Sequence, residues 1–397
     1  MVGYKVGIIL SHPIQYYSPW FRYLSKQLDI EVFYAHNQSS IDNASSGFKT
    51  EFQWDIDLFD GYKYRWLNNI ARKPGINSFF GCDTPEIDEI IKRSKFDAFL
   101  VCGWNYKAYI QAIIASKKNN VPVIIRGDSN LISGRSHIIN IARFIPYRIL
   151  LPLIDAYLYV GKLNKEYLLY YGVDQKKIFF SPHFIDNELF TRSAQEAIDS
   201  GRAADLRGEL GISNDSFVFL FAGKLLERKR PQDFIMAFME LINKRDDNKI
   251  HAIIAGDGPL RRELELLSKR HSSCIHFLGF CNQSKMPAIY KSSNILVLPS
   301  IFGETWGLVV NEAFACGIPA IVSDRCGCAP DLIDEGVTGF TFKAGDRDSL
   351  CEIMSLARDC YHARNFVEPL GAKLKNYSLE KASIGFLEAL GATHNKG

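Results

Sequence analysis

No stretch of this 397-residue chain stays apolar over the roughly 20 residues that a membrane-spanning helix requires. The nearest approach, HIINIARFIPYRILLPLIDAYLYVG, is interrupted by Arg143 and Arg148. The opening MVGYKVGIILSHP has too short an apolar run for a secretory leader and reads as a buried first strand. Paired cysteines are missing too. Nine cysteines, an odd number, lie scattered without a C-x-x-C framework, which argues against a disulfide scaffold and for a reducing, cytoplasmic setting. Cys326 and Cys328 form only a C-x-C pair and read as structural, not as metal ligands. No G-x-G-x-x-G follows the first apolar run of either half, which excludes the usual dinucleotide-dependent dehydrogenase. Solenoid-period repeats and low-complexity segments are absent. Net charge is only +3 and no basic-aromatic module appears, so nucleic acid is not an expected partner.

What charge there is sits unevenly. From Lys117 to Lys165, eight Lys or Arg stand against two Asp, a surplus of six in a chain whose total is +3. The segment has two readings. On periodicity it is a core helix followed by a buried strand. On charge it is a surface whose basic and apolar residues dock on anionic lipid headgroups, giving peripheral contact with the inner face of the cytoplasmic membrane.

Length and 47% hydrophobic content suit two ordinary globular domains. Short β-branched runs alternate with amphipathic stretches in the first half (YKVGIIL, IEVFYA, DAFLVCG, VPVIIRG, AYLYVG, KIFFSP), pause, and resume in the second (FVFLFAGK, KIHAIIAGDG, CIHFLGF, NILVLPS, PAIVSD, GFTFKAG). This is an α/β pattern of two Rossmann-like, doubly wound domains facing across a cleft. The expected boundaries are 1–182 for the N-terminal domain, 183–214 for a connector, 215–375 for the C-terminal domain, and 376–397 for a terminal helix and tail packing back toward the first domain.

Ligands on such sheets sit at the carboxyl ends of the strands, and the unusual residues lie there. FAGKLLERKRP places Lys224, Arg228, Lys229 and Arg230 where they can neutralise a diphosphate. AGDGP supplies Gly256 and Gly258 for a tight turn and close ligand approach. In FGETWGLVVNEAFACGIP, a helix should begin within Thr305, Trp306, Gly307, Leu308 and Val309, and its first N–H groups suit an anion. Glu312, about one turn in, can accept both hydroxyls of a vicinal diol such as ribose, while Glu304 is free to meet another hydroxylated group.

The order and spacing of AGKLLERKRP, IIAGDGPLRREL, IHFLGF, NILVLPSIFGETWGLVVNEAFACGIPAIVSD and GCAPDLIDEGVTGF resemble the family-4 retaining glycosyltransferases of GT-B fold, as in polysaccharide assembly. The resemblance implies that Glu304 contacts donor-sugar hydroxyls, Glu312 the ribose, Lys224 and Lys229 the diphosphate, and that Phe280 lies near the nucleobase. Lys224 stands where the family has arginine, and Arg230 replaces a glycine. The first half departs further: SHPIQYYSPWFRYL, with His12, Gln15 and Tyr16, replaces a glycine-rich loop, and Asp128 stands where many members have histidine. Asp128 and His12 are therefore the catalytic candidates on that side of the cleft, beside Glu304 and Lys229. The implied donor is a nucleoside-diphosphate sugar and the implied acceptor a glycan or lipid-linked glycan, with no cofactor. The D-x-D pairs Asp55/Asp57 and Asp346/Asp348 read as chance patterns outside the cleft, so no metal is expected. Two other readings share the fold: a non-catalytic nucleotide-sugar or glycan-binding subunit, and a sugar-nucleotide epimerase or phosphorylase.

Overall fold

The computed structural model describes residues 3–39, 51–132, 134, 137–245 and 249–394. Seven strands form the first sheet: β1 Lys5–Leu10, β2 Asp29–Tyr34, β3 Lys63–Trp66, β4 Ala98–Val101, β5 Val123–Gly127, β6 Ala156–Tyr159 and β7 Ile178–Phe180. Six form the second: β8 Phe217–Ala222, β9 Ile250–Ala255, β10 Ile275–Gly279, β11 Ile295–Leu298, β12 Ala320–Ser323 and β13 Gly339–Phe342. The orders are β3-β2-β1-β4-β5-β6-β7 and β10-β9-β8-β11-β12-β13. The pairings are parallel, with Gly7 opposite Glu31 and Phe99, and Leu220 opposite Ile253 and Leu296. Helices cover both faces of each sheet, which is why β8, β9, β11 and β12 are buried along their whole length and apolar without alternation.

In each sheet the strand order reverses beside the first strand, between β1 and β4 and between β8 and β11. The loops after those strands splay apart there and leave the crevice in which such sheets bind ligands. The sequence placed its candidates after β1, β8 and β11, and the topology explains why those positions open on one cleft.

The strand missed from the sequence is β3, KYRW, an edge strand with exposed residues and no apolar run to mark it. The connector folds as helices Asn187–Asp199 and Arg202–Glu209, and Phe190, Ala194 and Ile212 join the core of the second domain. The last helix, Leu379–His394, crosses back to the first sheet, where Phe386 and Leu390 pack beside Val6 and Ile8. Gly385 makes that approach feasible: a Cβ there would lie 1.8 Å from the Phe180 carbonyl oxygen. The indole of Trp20, on helix Tyr17–Ser25, donates to Ser383 Oγ at 3.0 Å and fixes the same contact.

One expectation fails here. The helix His137–Leu150 is not a core helix. Phe144 and Tyr147 pack inward, against Tyr170, Tyr171 and Trp104, and the isoleucines are exposed. The strand that follows it, β6, is buried as expected. All nine cysteines are free thiols, with Cys326 and Cys328 fully buried.

Candidate active site

The loop after β8 is shaped by its backbone. Gly223 continues the chain beyond the strand, a short 3-10 turn spans Glu227–Lys229, and Arg230 takes a left-handed conformation at φ 53° before helix Pro231–Arg245. Arg230 is engaged locally: its guanidinium makes a two-pronged bond to Asp233 at 2.6 and 2.8 Å and so anchors the helix start. Arg228 bridges to the Gly303 carbonyl at 2.9 Å, tying this loop to the one after β11. Lys229 pairs with Glu304, the two side chains being only 15% and 12% exposed. The Ser300 hydroxyl donates to the same carboxylate oxygen of Glu304 at 3.0 Å. Burial, with Arg228 and Lys229 nearby, lowers the Lys224 ammonium to about 8. Three cations and one carboxylate thus converge, leaving positive charge for an incoming anion.

Gly256 and Gly258 pack directly against the lysine loop. A Cβ on Gly256 would fall 1.9 Å from the Gly223 oxygen, and one on Gly258 would fall 2.7 Å from the Leu225 oxygen. The glycines let β9 hold the lysine loop against its own end, and Gly256 also lines the pocket that Glu312 enters.

The loop after β11 is held by the segment after β12. Gly327 N–H donates to the Glu304 carbonyl at 2.9 Å, and Cys328 N–H to that of Trp306 at 3.1 Å. Trp306 is only 3% exposed; its indole donates to Asn311, and its ring lies 5.3 Å from His183 and 5.6 Å from Tyr377. Its side chain therefore packs among residues at the contact between the two domains. Gly307, at φ 107°, caps helix Leu308–Ala315, whose opening N–H groups at Leu308 and Val309 lack intrahelical acceptors.

Glu312, the fifth residue of that helix, is buried. Tyr16, from the first domain, donates to its Oε1 at 2.8 Å, and Tyr290 donates to its Oε2 at 2.7 Å. Burial raises this carboxyl to about 7, against the lowering effect of the two tyrosines. An ionised carboxylate offers about four lone pairs. The tyrosines take one on each oxygen and leave one on each, the number a vicinal diol needs. Glu312 lines one pocket with Gln15, Tyr16, Trp54, Gly256, Phe280 and Val309, so both domains wall it.

Phe280 stacks on Phe52 with ring centroids 4.1 Å apart. Asn282 donates to the Gln53 carbonyl at 2.7 Å, and Ser284 bonds to Asp55. The segment 51–55 is thus a strap from the first domain laid over the second, and Asp55 lies at the cleft, not outside it as its motif suggested. Asp57 accepts the Phe59 and Asp60 N–H groups, and Asp346 caps helix Arg347–Cys360 through Ser349 N–H, so both D-x-D patterns have structural work. Among the described residues, no three His, Cys, Asp or Glu side chains gather in a metal-binding cluster.

Asp128, at the end of β5, accepts a 2.6 Å bond from Thr305, the neighbour of Glu304. Its side chain is half exposed, and His183 Nε2 lies 3.8 Å from it. Partial burial opposes its ionisation, but His183 and the Thr305 hydroxyl outweigh that and hold the carboxyl at about 2. Asp128 is therefore an anion under all working conditions. His183 was missed in the sequence because it stands alone after β7, with no motif around it. His12, bonded to Ser11 at 2.9 Å, sits toward Lys224; burial first, then His36 and Lys224, lowers it to about 4, so it is a neutral imidazole at pH 7.

A pH dependence follows. Glu312 can accept both hydroxyls of a diol only when ionised, above about 7, and Lys224 is charged only below about 8. The expected profile of kcat/KM for donor is a narrow bell whose acid limb belongs to Glu312 and whose alkaline limb belongs to Lys224. Lys224→Arg should remove the alkaline limb alone; an unchanged limb in that variant would dissociate Lys224 from donor recognition.

Comparison with known proteins fits this geometry. Residues 203–368 match the model of the glycosyl transferases group 1 family. The chain is 31% identical over 173 residues to a D-inositol 3-phosphate glycosyltransferase of Corynebacterium jeikeium, covering 42% of this chain and 39% of that one. It is 32% identical over 197 residues to the UDP-Gal:alpha-D-GlcNAc-diphosphoundecaprenol alpha-1,3-galactosyltransferase of Escherichia coli, covering 47% and 46%. The chain thus spans less than half the length of these curated relatives. Among solved structures, Anabaena HepE in complex with UDP and glucose superposes over 98% of this chain and 100% of its own, with a TM-score of 0.70 and 15% identity. Residues 203–368 thus resemble a group 1 glycosyl transferase domain, and the two sheets together have the GT-B fold.

Proposed function

We propose that the protein transfers a sugar from a nucleoside-diphosphate sugar to a hydroxyl of a glycan or lipid-linked glycan, retaining the anomeric configuration and working without a metal, in cell-surface polysaccharide assembly at the cytoplasmic membrane face. The observation that carries this reading is the clustering of Lys224, Arg228 and Lys229, with Lys229 paired to Glu304, Glu312 in the helix that follows and Asp128 bonded to Thr305 opposite. The diphosphate meets the cations and the start of helix Leu308–Ala315. Glu304 takes hydroxyls of the transferred sugar and Glu312 those of the ribose. Phe280, with Phe52 and Trp54 of the strap, encloses the nucleobase.

In the reaction the bond from the anomeric carbon to the diphosphate oxygen breaks, and the acceptor oxygen bonds to that carbon on the same face. The acceptor proton passes to the departing diphosphate. Charge grows at two places, negative on the leaving group and positive on the anomeric carbon. The lysines and Arg228 stabilise the first, and the ionised Asp128 stabilises the second. The name of the Escherichia coli relative, with a sugar on diphosphoundecaprenol, supports the lipid-linked acceptor class.

Released nucleoside diphosphate, measured with donor and acceptor together, tests the proposal: release that depends on acceptor is expected. Release requiring free phosphate, or an epimerised donor with no acceptor, would move the protein to the phosphorylase or epimerase class. Because side-chain cations hold the diphosphate, EDTA should leave the rate unchanged within about twofold; loss restored by Mn²⁺ would contradict the metal-free mechanism.

A further inference from the structure

The helix His137–Leu150 carries a surface that the transfer reaction does not use. Ile138, Ile141, Ile145 and Ile149 are 78%, 63%, 68% and 60% exposed. At about 100° per residue, these four with Ala142 and Pro146 occupy one side of the helix. Phe144 and Tyr147, on the opposite side, anchor it against Tyr170, Tyr171 and Trp104. Arg148 and Arg143 fall at the two edges of the apolar side, each with its guanidinium stacked on an aromatic ring of the same helix, at 5.5 and 5.9 Å. Between Asp128 and Asp155 the sequence has no acidic residue, but it has three arginines. An aliphatic stripe bordered by arginines, without a carboxylate, complements a surface that is apolar below and anionic above.

Position in the fold strengthens this. The chain enters the helix from Asp128 in the cleft, and Gly134 lies so close to Phe302 that a Cβ on it would fall 2.6 Å from the Phe302 Cβ. Leu131 and Phe302 are themselves exposed, and Phe302 is two residues from Glu304. Exposed apolar residues thus stand both on the helix and at the mouth of the cleft.

We infer that helix His137–Leu150 is an interfacial helix that lies in the headgroup layer of an anionic bilayer, with its isoleucines in the acyl boundary and its arginines on lipid phosphates, and turns the acceptor side of the cleft toward the membrane. This deepens the lipid-linked form of the proposed function and rests on it only for the acceptor. Membrane binding itself needs neither donor nor acceptor, so its failure and the failure of transfer are separately visible.

Flotation of the full chain with vesicles of phosphatidylglycerol and phosphatidylcholine in equal parts, against phosphatidylcholine alone, is the test. The wild type should float with the anionic vesicles at low salt and much less with the neutral ones. Ile141→Asp/Ile145→Asp should lower the bound fraction by at least about tenfold with an unchanged melting temperature, since these residues touch no core. Arg143→Gln should weaken binding about fivefold on anionic vesicles and leave the weak binding to neutral ones unaltered. Equal flotation of the wild type and the aspartate variant would overturn the inference. So would a wild type that ignores anionic vesicles but forms a dimer the aspartate variant splits, because a second copy of the chain would then be the partner of this face.

Discussion

Glu304→Gln should lower kcat/KM by about three orders of magnitude while the far-ultraviolet spectrum stays that of the wild type. The substitution keeps the shape of the side chain and removes its charge. Lys229 then faces an amide, and the cluster of Lys224, Arg228 and Lys229 loses its one anion. Stability should fall as well, by a few degrees in Tm, because a partly buried lysine is left without its counter-ion. The informative contrast lies in binding. If Glu304 touches the sugar, the free nucleoside diphosphate should bind the variant at least as tightly as the wild type, since a neighbouring negative charge has gone, while the nucleotide sugar loses affinity or turnover. Wild-type turnover would remove Glu304 from the donor site.

Lys229→Ala is expected to cost about two to three orders of magnitude in kcat/KM, with the nucleoside diphosphate itself binding more weakly. This separates the two halves of the ion pair: one acts on the sugar, the other on the leaving group. Because Lys229 and Glu304 are in contact, the double variant Lys229→Ala/Glu304→Gln should lose much less than the product of the single losses. Strict additivity of the two effects on the rate would mean that they do not act as a unit, and the ion pair would then be a structural feature of the β8 and β11 loops.

Much of this was legible in the residues. Apolar β-branched runs marked twelve strands because parallel strands covered on both faces cannot alternate. The candidates fell at strand ends, and the strand order makes two of those ends the switch points of the sheets. What the sequence hid has physical causes. β3 is an exposed edge strand without an apolar signature. Helix His137–Leu150 is apolar around most of its circumference, so periodicity does not reveal which side is buried; two inward aromatics decide it. Tyr16 reaches Glu312 across 296 residues of sequence, and the strap residues Phe52 and Trp54 reach Phe280 and its pocket from the other domain. Such pairings are set by how the domains meet, and no local pattern encodes them. Arg230 and Trp306 sit within diagnostic motifs yet turn to Asp233 and to the domain contact, which shows that a motif fixes a backbone path before it fixes the direction of each side chain.

The claim that Glu304 and Glu312 hold one nucleotide sugar across a diphosphate-binding loop is tested most directly by thermal unfolding against a panel of nucleosides, nucleoside diphosphates and nucleotide sugars. A ligand at 100 times its Kd stabilises the folded chain by about 2.7 kcal/mol, several degrees for a protein of this size. At least one nucleotide sugar and its nucleoside diphosphate are expected to raise Tm by that amount, the matching nucleoside far less, and Lys229→Ala should abolish the rise for the diphosphate. A panel in which nothing raises Tm, or in which nucleoside and diphosphate are equal, would contradict it.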